Sequence, residues 1–361
     1  MNQSISPESQ VDELVEGLFA GRRISLSRAI STVEDQDPGF RDLLHAIHSR
    51  VGRAQRIGIT GPPGAGKSTL VAVLVAFYRE RGQSVGVIAV DPTSPFTGGA
   101  LLGDRIRMND VALDRGVFIR SMATRGSMGG LALTTEEVAD VMDAFGFDRI
   151  IIETVGVGQT ELGIAAAADT TAVVLVPESG DGIQAMKAGL MEVSDLFVIN
   201  KSDRPGADRM AREVSMMLHM RTGRFMRNLP AHHGVDLNRP RNKPRTYAPA
   251  PEPEPVRPWE VPVLQTVADA DKGVDELVAA LDGHFEWLTS SGRRERRRAE
   301  RWAERVREVA DRSIDRTVWR TRGGEQMLAE AAADATRRSP YEVAATIVAA
   351  TIGDGRGVAR E

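Results

Sequence analysis

The chain has 361 residues, 42% of them hydrophobic, with a formal net charge of -4 and no cysteine. The length predicts a main domain of about 200 to 250 residues with appended elements. The charge excludes a global pull toward nucleic acid or anionic membrane, and the missing thiols exclude disulfides, thiolate metal sites and a Cys nucleophile, in keeping with a reducing cytoplasm.

The opening residues, MNQSISPESQVDEL, are polar and acidic, unlike a secretion signal. No apolar run reaches the roughly 20 residues a membrane helix needs, so a cytoplasmic protein that does not engage membrane is expected. Residues 1 to 50 are predicted to form a helical extension. Apolar positions recur at Val11, Leu14 and Leu18, then at Ile24, Leu26, Ile30 and Val33, with Gly21 and Pro38 as breaks.

Residues 51 to 290 change character. Short β-branched runs alternate with helical stretches: RIGIT (56 to 60), VGVIAV (85 to 90), VFI (117 to 119), RIIIE (149 to 153), TAVVLV (171 to 176), LFVIN (196 to 200) and VPVLQT (261 to 266). Runs apolar on both faces suit strands of a parallel sheet covered by helices on each side, so the fold class is a doubly wound, mainly parallel α/β domain. TRGSMGG (124 to 130) reads as a strand-to-helix loop, with Thr134 and Glu137 as the capping box of the next helix. SMMLHM (215 to 220) reads as part of an amphipathic core helix. The tract 238 to 258, rich in Pro and Arg, is expected to be a mobile surface loop. Residues 291 to 361 form a helical arm. In it Glu300, Glu304 and Glu308 recur at i,i+4, and Trp302, Val306 and Val309 make an apolar seam.

The chemistry concentrates at strand ends. Gly61, Pro62, Pro63, Gly64, Ala65, Gly66, Lys67, Ser68 and Thr69 fit the phosphate-loop pattern directly after RIGIT and before an apolar helix. Its glycines let backbone N–H groups face a triphosphate, Lys67 pairs with the β- and γ-phosphates, and Ser68 ligates magnesium. At the tip of LFVIN stand Asn200, Lys201 and Asp203. A carboxylate at Asp203 accepts from N1–H and the 2-amino group of guanine but would be left unpaired against adenine, a discrimination on the order of 10⁴-fold. Asn200 would support the loop, Lys201 would pack its stem over the base, and Thr266, Val267 and Ala268, after the last strand, fall where GTPases often place a loop under guanine O6.

Glu153 ends RIIIE, where a carboxylate holds a magnesium water, and Gly156 can give its N–H to the γ-phosphate. Val157 cannot orient an attacking water, and Gln159 falls two residues late. A second carboxylate is therefore required, and Asp91 at the end of VGVIAV, with Asp104 in the loop beyond, supplies it. For both the competing assignment is a helix or turn cap. His232 and His233 lack a third spaced ligand and are not assigned to metal. The Arg-rich arm lacks the aromatic interleaving of a nucleic-acid surface.

The ordered set GPPGAGKST, AVDPTSPFTGGALLGDRIRM, ETVGVGQTE, PESGDGIQAMKAG and NKSD resembles the methylmalonyl-CoA mutase-associated GTPases of the MeaB type. These include the human methylmalonic aciduria type A protein and belong to the signal recognition particle-like class of P-loop GTPases. The resemblance covers roughly residues 10 to 310. It implies a homodimeric GTPase chaperone that gates adenosylcobalamin loading into, and protects, a cobalamin-dependent acyl-CoA mutase. Magnesium and GTP or GDP bind the chain itself; adenosylcobalamin enters only through the partner. By position, Asp91 and Asp104 fall in the first switch and Glu153 and Gly156 in the second. Asp181, Gln184 and Lys187 fall in a third, where Lys187 is a candidate for added positive charge at the transition state. The arm would dimerise; residues 293 to 322 hold 12 basic and 6 acidic side chains. The rival readings are a P-loop kinase of an amino-acid (lysine/arginine/ornithine) transport system, a nickel-delivery GTPase of the same class, which the absence of Cys and of a His-rich tract disfavours, and a structural scaffold.

Overall fold

A computed structural model describes residues 7–92, 113–124, 128–154, 163–164, 167–177, 190–221, 258–332 and 339–352. Asp104, Gly156, Val157, Gln159, Asp181, Gln184, Lys187, His232, His233 and the tract 238–257 lie outside these residues, as does the side chain of Asp91. The chain divides into two compact units, Met1–Arg294 and Glu295–Glu361.

The first unit is organised by a seven-stranded sheet. Its strands are β1 (Gln55–Thr60), β2 (Val85–Pro92), β3 (Val117–Thr124), β4 (Arg149–Thr154), β5 (Thr170–Leu175), β6 (Leu196–Ile199) and β7 (Val263–Gln265). The order is β3-β2-β4-β1-β5-β6-β7 with every pairing parallel. β1, β5 and β6 are buried at every position, as strands covered by helices on both faces are, and only β6 is apolar throughout. β1 lies between β4 and β5, where the chain passes from one half of the sheet to the other. In open α/β sheets, ligands bind beyond the carboxyl ends of strands at such a point.

Period-two alternation sorts the side chains between two cores. Ile57, Ile59, Val85, Val87 and Ile151 pack with α4 (Lys67–Glu80) and α7 (Val274–Ser290) through Leu70, Leu74, Tyr78, Leu277 and Leu281. Ile88, Ile150 and Ile152 pack on the other face with α5 (Met128–Phe145) through Val138 and Met142. The N-terminal helices α1 (Pro7–Phe19), α2 (Arg23–Asp35) and α3 (Phe40–Ile47) bury Leu18, Leu26, Ile30, Leu43 and Ile47 in that second core. Ile24, expected on the buried face of α2, is instead 76% exposed, because the face is set by Leu26, Ile30 and Val33.

Polar anchors fix the N-terminal helices to the sheet. Arg23 donates to the carbonyls of Arg115 (2.8 Å) and Val117 (2.7 Å), and Arg120 of β3 pairs with Glu34 and donates to Ser31. Arg23→Ala is expected to cost about 1–2 kcal/mol, since one side chain serves two acceptors at the outer sheet edge. Urea denaturation checks this; an unchanged midpoint would show that the Arg23 bonds contribute nothing to docking beyond the Arg120 anchor and the apolar contacts. On β1 the buried Arg56 donates to Asp140 (2.7 Å) and Asp143 (3.1 Å) of α5. Burial opposes its charge, but Asp140, Asp143 and Asp169 outweigh that cost and hold the guanidinium above its ordinary range.

The capping-box expectation needs correction. α5 begins at Met128, so Thr134 and Glu137 lie inside the helix and form no capping box. Thr135 and Glu137 are buried there, and tertiary packing extends the helix past a signature that is only local. The Met-rich run does lie on an amphipathic helix, α6 (Ala207–Arg221): Met210, Val214 and Leu218 make the buried stripe with Met217 packed against it, while Met216 and Met220 face outward.

In the second unit, α8 (Arg293–Arg316) buries none of its side chains; Trp302 is 60% exposed, and Val306 and Val309 are exposed beside it. Arg296 donates to Glu300 at 3.1 Å, an i,i+4 pair. α9 (Gly324–Ala332) and α10 (Pro340–Ile352) follow. Among the described residues no helix is long and apolar enough to cross a membrane.

Candidate functional site

Gly61 leaves β1 at φ 136, and a Cβ there would lie 2.0 Å from the carbonyl oxygen of Val174 on β5. Only glycine lets the chain turn so close to the neighbouring strand. The loop re-enters helix at Gly66 (φ 85), the N-cap of α4, whose first amides and partial positive charge suit an anion. Lys67 is buried and donates from Nζ to the carbonyls of Gly61 (2.8 Å) and Pro62 (3.0 Å), so its ammonium is confined at the root of its own loop.

Ser68 donates from Oγ to Oε1 of Glu153 at 2.7 Å. Glu153 sits on β4 in register with Ile59 of β1 and Ala89 of β2. A hydroxyl and a carboxylate brought together at the base of a phosphate loop are the hard oxygen donors magnesium prefers. Among the described residues no group of three His, Asp or Glu gathers as a metal cage. Asp91 is the penultimate residue of β2, two residues beyond Ala89, which pairs with Glu153.

The base segment is built into the same construction. Asn200 donates from Nδ2 to the carbonyl of Ala65 (2.9 Å) and accepts at Oδ1 from Thr266 Oγ1 (3.1 Å) and the Ala268 amide (3.2 Å). A Cβ on Gly66 would lie 2.4 Å from Asn200 Nδ2, so the glycine is required where the two motifs touch. Lys201, at φ 56, donates from Nζ to the Gly64 carbonyl (2.9 Å). Asp203 is exposed at the end of this loop.

The structure therefore links the phosphate loop and the start of α4, Glu153, Asn200, Lys201 and Thr266 to Ala268 by hydrogen bonds at the carboxyl ends of β1, β4, β6 and β7. The amides of Thr266, Val267 and Ala268 are given to Ile199, Lys272 and Asn200, so this loop acts as a support for Asn200. Sequence reasoning missed the contact of Gly66 with Asn200, since nothing local to either residue signals it. It also missed the buried hydroxyls of Thr60 and Thr154, 3.0 Å apart, although two threonines ending adjacent strands are visible in RIGIT and RIIIET.

The family model described as methylmalonyl Co-A mutase-associated GTPase MeaB matches residues 26–322. A protein named as a GTPase from Pyrococcus abyssi is 46% identical over 289 residues, covering 80% of each chain. The methylmalonic aciduria type A homolog of Mus musculus is 40% identical over 207 residues, covering 54% of this chain and 50% of that one. A solved structure described as an LAO/AO transport system kinase superposes with a TM-score of 0.65 at 26% identity, covering 95% of this chain and 98% of that chain.

Proposed function

The chain belongs to the methylmalonyl Co-A mutase-associated GTPase MeaB family, and from that premise we propose that it works as a nucleotide-gated chaperone of a cobalamin-dependent acyl-CoA mutase. It is a P-loop GTP hydrolase. In this reading it gates adenosylcobalamin loading, protects the mutase, and acts as a cytoplasmic homodimer. The mutase association has support from the family and from the mouse relative's name. The exposed Trp302, Val306 and Val309 of α8 support a second copy as the arm's partner.

The observation that carries the nucleotide reading is Asn200, one buried side chain bonded at once to the phosphate loop and to the loop after β7. Lys67, Ser68 and Glu153 take the phosphate and metal roles, with Asp91 and Asp104 as further carboxylates. Asp203 reads guanine and Gly156 senses the γ-phosphate. Magnesium, when bound, neutralises charge developing between the β- and γ-phosphates. With Val157 in the water-positioning place, unassisted turnover is expected at about 10⁻⁴ to 10⁻² s⁻¹. Partner contact then accelerates it through the third switch, with Lys187 adding positive charge at the transition state.

The test is GTP hydrolysis with and without methylmalonyl-CoA mutase, paired with co-elution of the two proteins. Stimulation and co-elution are expected, and Lys187→Ala should remove the stimulation while leaving unassisted turnover in place. No binding and no stimulation would overturn the chaperone assignment. The likeness to a structure described as a transport kinase favours a second reading, phosphoryl transfer to an acceptor. Label from γ-labelled GTP appearing on an added acceptor protein instead of as free phosphate would favour it.

A further inference from the structure

The phosphate loop and the carboxylate Glu153 grow from adjacent strands, and two side-chain bonds cross between them. One is Ser68 to Glu153, 2.7 Å. The other joins the hydroxyls of Thr60 and Thr154 at 3.0 Å, both fully buried. The β1–β4 register ends at Ile59 and Glu153, so the threonine pair continues the pairing one residue past the last backbone partners. Thr60 precedes Gly61, whose carbonyl receives Lys67, and Thr154 follows Glu153.

The two crossings differ in what competes for them. Ser68 and Glu153 are the groups that a nucleotide-bound cation draws on, so that bond is open to exchange. Thr60 and Thr154 offer buried, neutral hydroxyls whose exchange would strand a polar group in a dry site. We propose that the Thr60–Thr154 hydroxyl pair is the positioning bridge of this GTPase, holding the root of the phosphate loop and the metal-facing strand end in register while Ser68 and Glu153 change partners. Neither threonine touches the reacting atoms. Their effect is on where Ser68 and Glu153 stand relative to each other when magnesium arrives. The inference rests on the GTPase reading of the same site.

Thr60→Val and Thr154→Val keep the volume and remove one hydroxyl each; Thr60→Ser and Thr154→Ser keep the hydroxyl. Each Val variant is expected to raise the magnesium concentration for half-maximal GTP hydrolysis about 5-fold, with GDP affinity in chelator changed less than about 2-fold. The Ser variants should stay within about 2-fold of the unmodified protein, and the double Val variant should be no worse than either single, because the two groups form one bond. Should a single Val substitution prevent folding by orphaning one hydroxyl, the double variant, which orphans none, carries the comparison. The bridge is overturned if the Val effects multiply in the double variant, or if only the melting temperature falls while magnesium dependence is unchanged. Magnesium-dependent hydrolysis by the unmodified protein is measured first. Its absence would remove the GTPase reading itself, a different failure from normal turnover that ignores the threonines.

Discussion

Asp203→Asn is expected to weaken GTP binding by about 10³ to 10⁴-fold and to leave the fold untouched. Guanine presents two donors side by side, N1–H and the 2-amino group, and a carboxylate answers both with acceptors. The amide answers one and sets its own donor against the other, so a desolvated N–H faces an N–H. The loop survives the change because its bonds run through other residues. Asn200 binds Ala65, Thr266 and Ala268, Lys201 binds Gly64, and the Ser202 amide donates to the Thr266 carbonyl at 3.0 Å. Asp203 itself is exposed. The same amide matches xanthine, which carries a carbonyl where guanine has its amino group, so xanthosine triphosphate should bind the variant better than GTP does. Competition against a fluorescent guanine nucleotide, with the melting temperature as a control, measures this. GTP affinity within about 10-fold of the unmodified protein would remove Asp203 from base recognition.

Lys67→Ala is expected to slow single-turnover GTP hydrolysis by about 10³-fold, the scale of losing one preorganised charge at the transferring phosphoryl group. The side chain is buried, and Nζ is tied to the carbonyls of Gly61 and Pro62, so the cation is held by the backbone that shapes the loop. Its removal takes away both the charge and a brace across the loop's root. Lys67→Arg should not restore turnover, because a planar guanidinium does not fit where a compact ammonium reaches two carbonyls from within one tight loop. Rapid-quench measurement of phosphate release decides the point; an alanine variant within about 10-fold of normal would show that helix N-terminal amides alone hold the phosphates.

The strands were readable because each holds a short apolar, mostly β-branched run, a direct result of helices on both faces of a parallel sheet. The phosphate loop and Asn200 to Asp203 were readable because each is a contiguous run next to a strand. Their mutual contact was not. Gly66 meets Asn200 across 134 positions of chain, and only the placement of β6 two strands from β1 brings them together. The capping-box expectation at Thr134 failed for a related reason: a local pattern was overruled by the packing of α5 against the sheet and the N-terminal helices. Ile24 failed in the opposite sense, an apolar residue within the period that the tertiary face of α2 leaves outside.

By itself, the sequence determined the strand set, the parallel α/β class, the phosphate loop and the position of the NKSD segment proposed to read guanine, because these depend on periodicities and short runs whose physics is local. Tertiary structure decided that Asn200 joins the phosphate loop to the loop after β7, that Ser68 meets Glu153, and that Thr60 meets Thr154. Those contacts depend on strand order and register, which are set by how the whole sheet buries its two faces and are written at no single position of the chain.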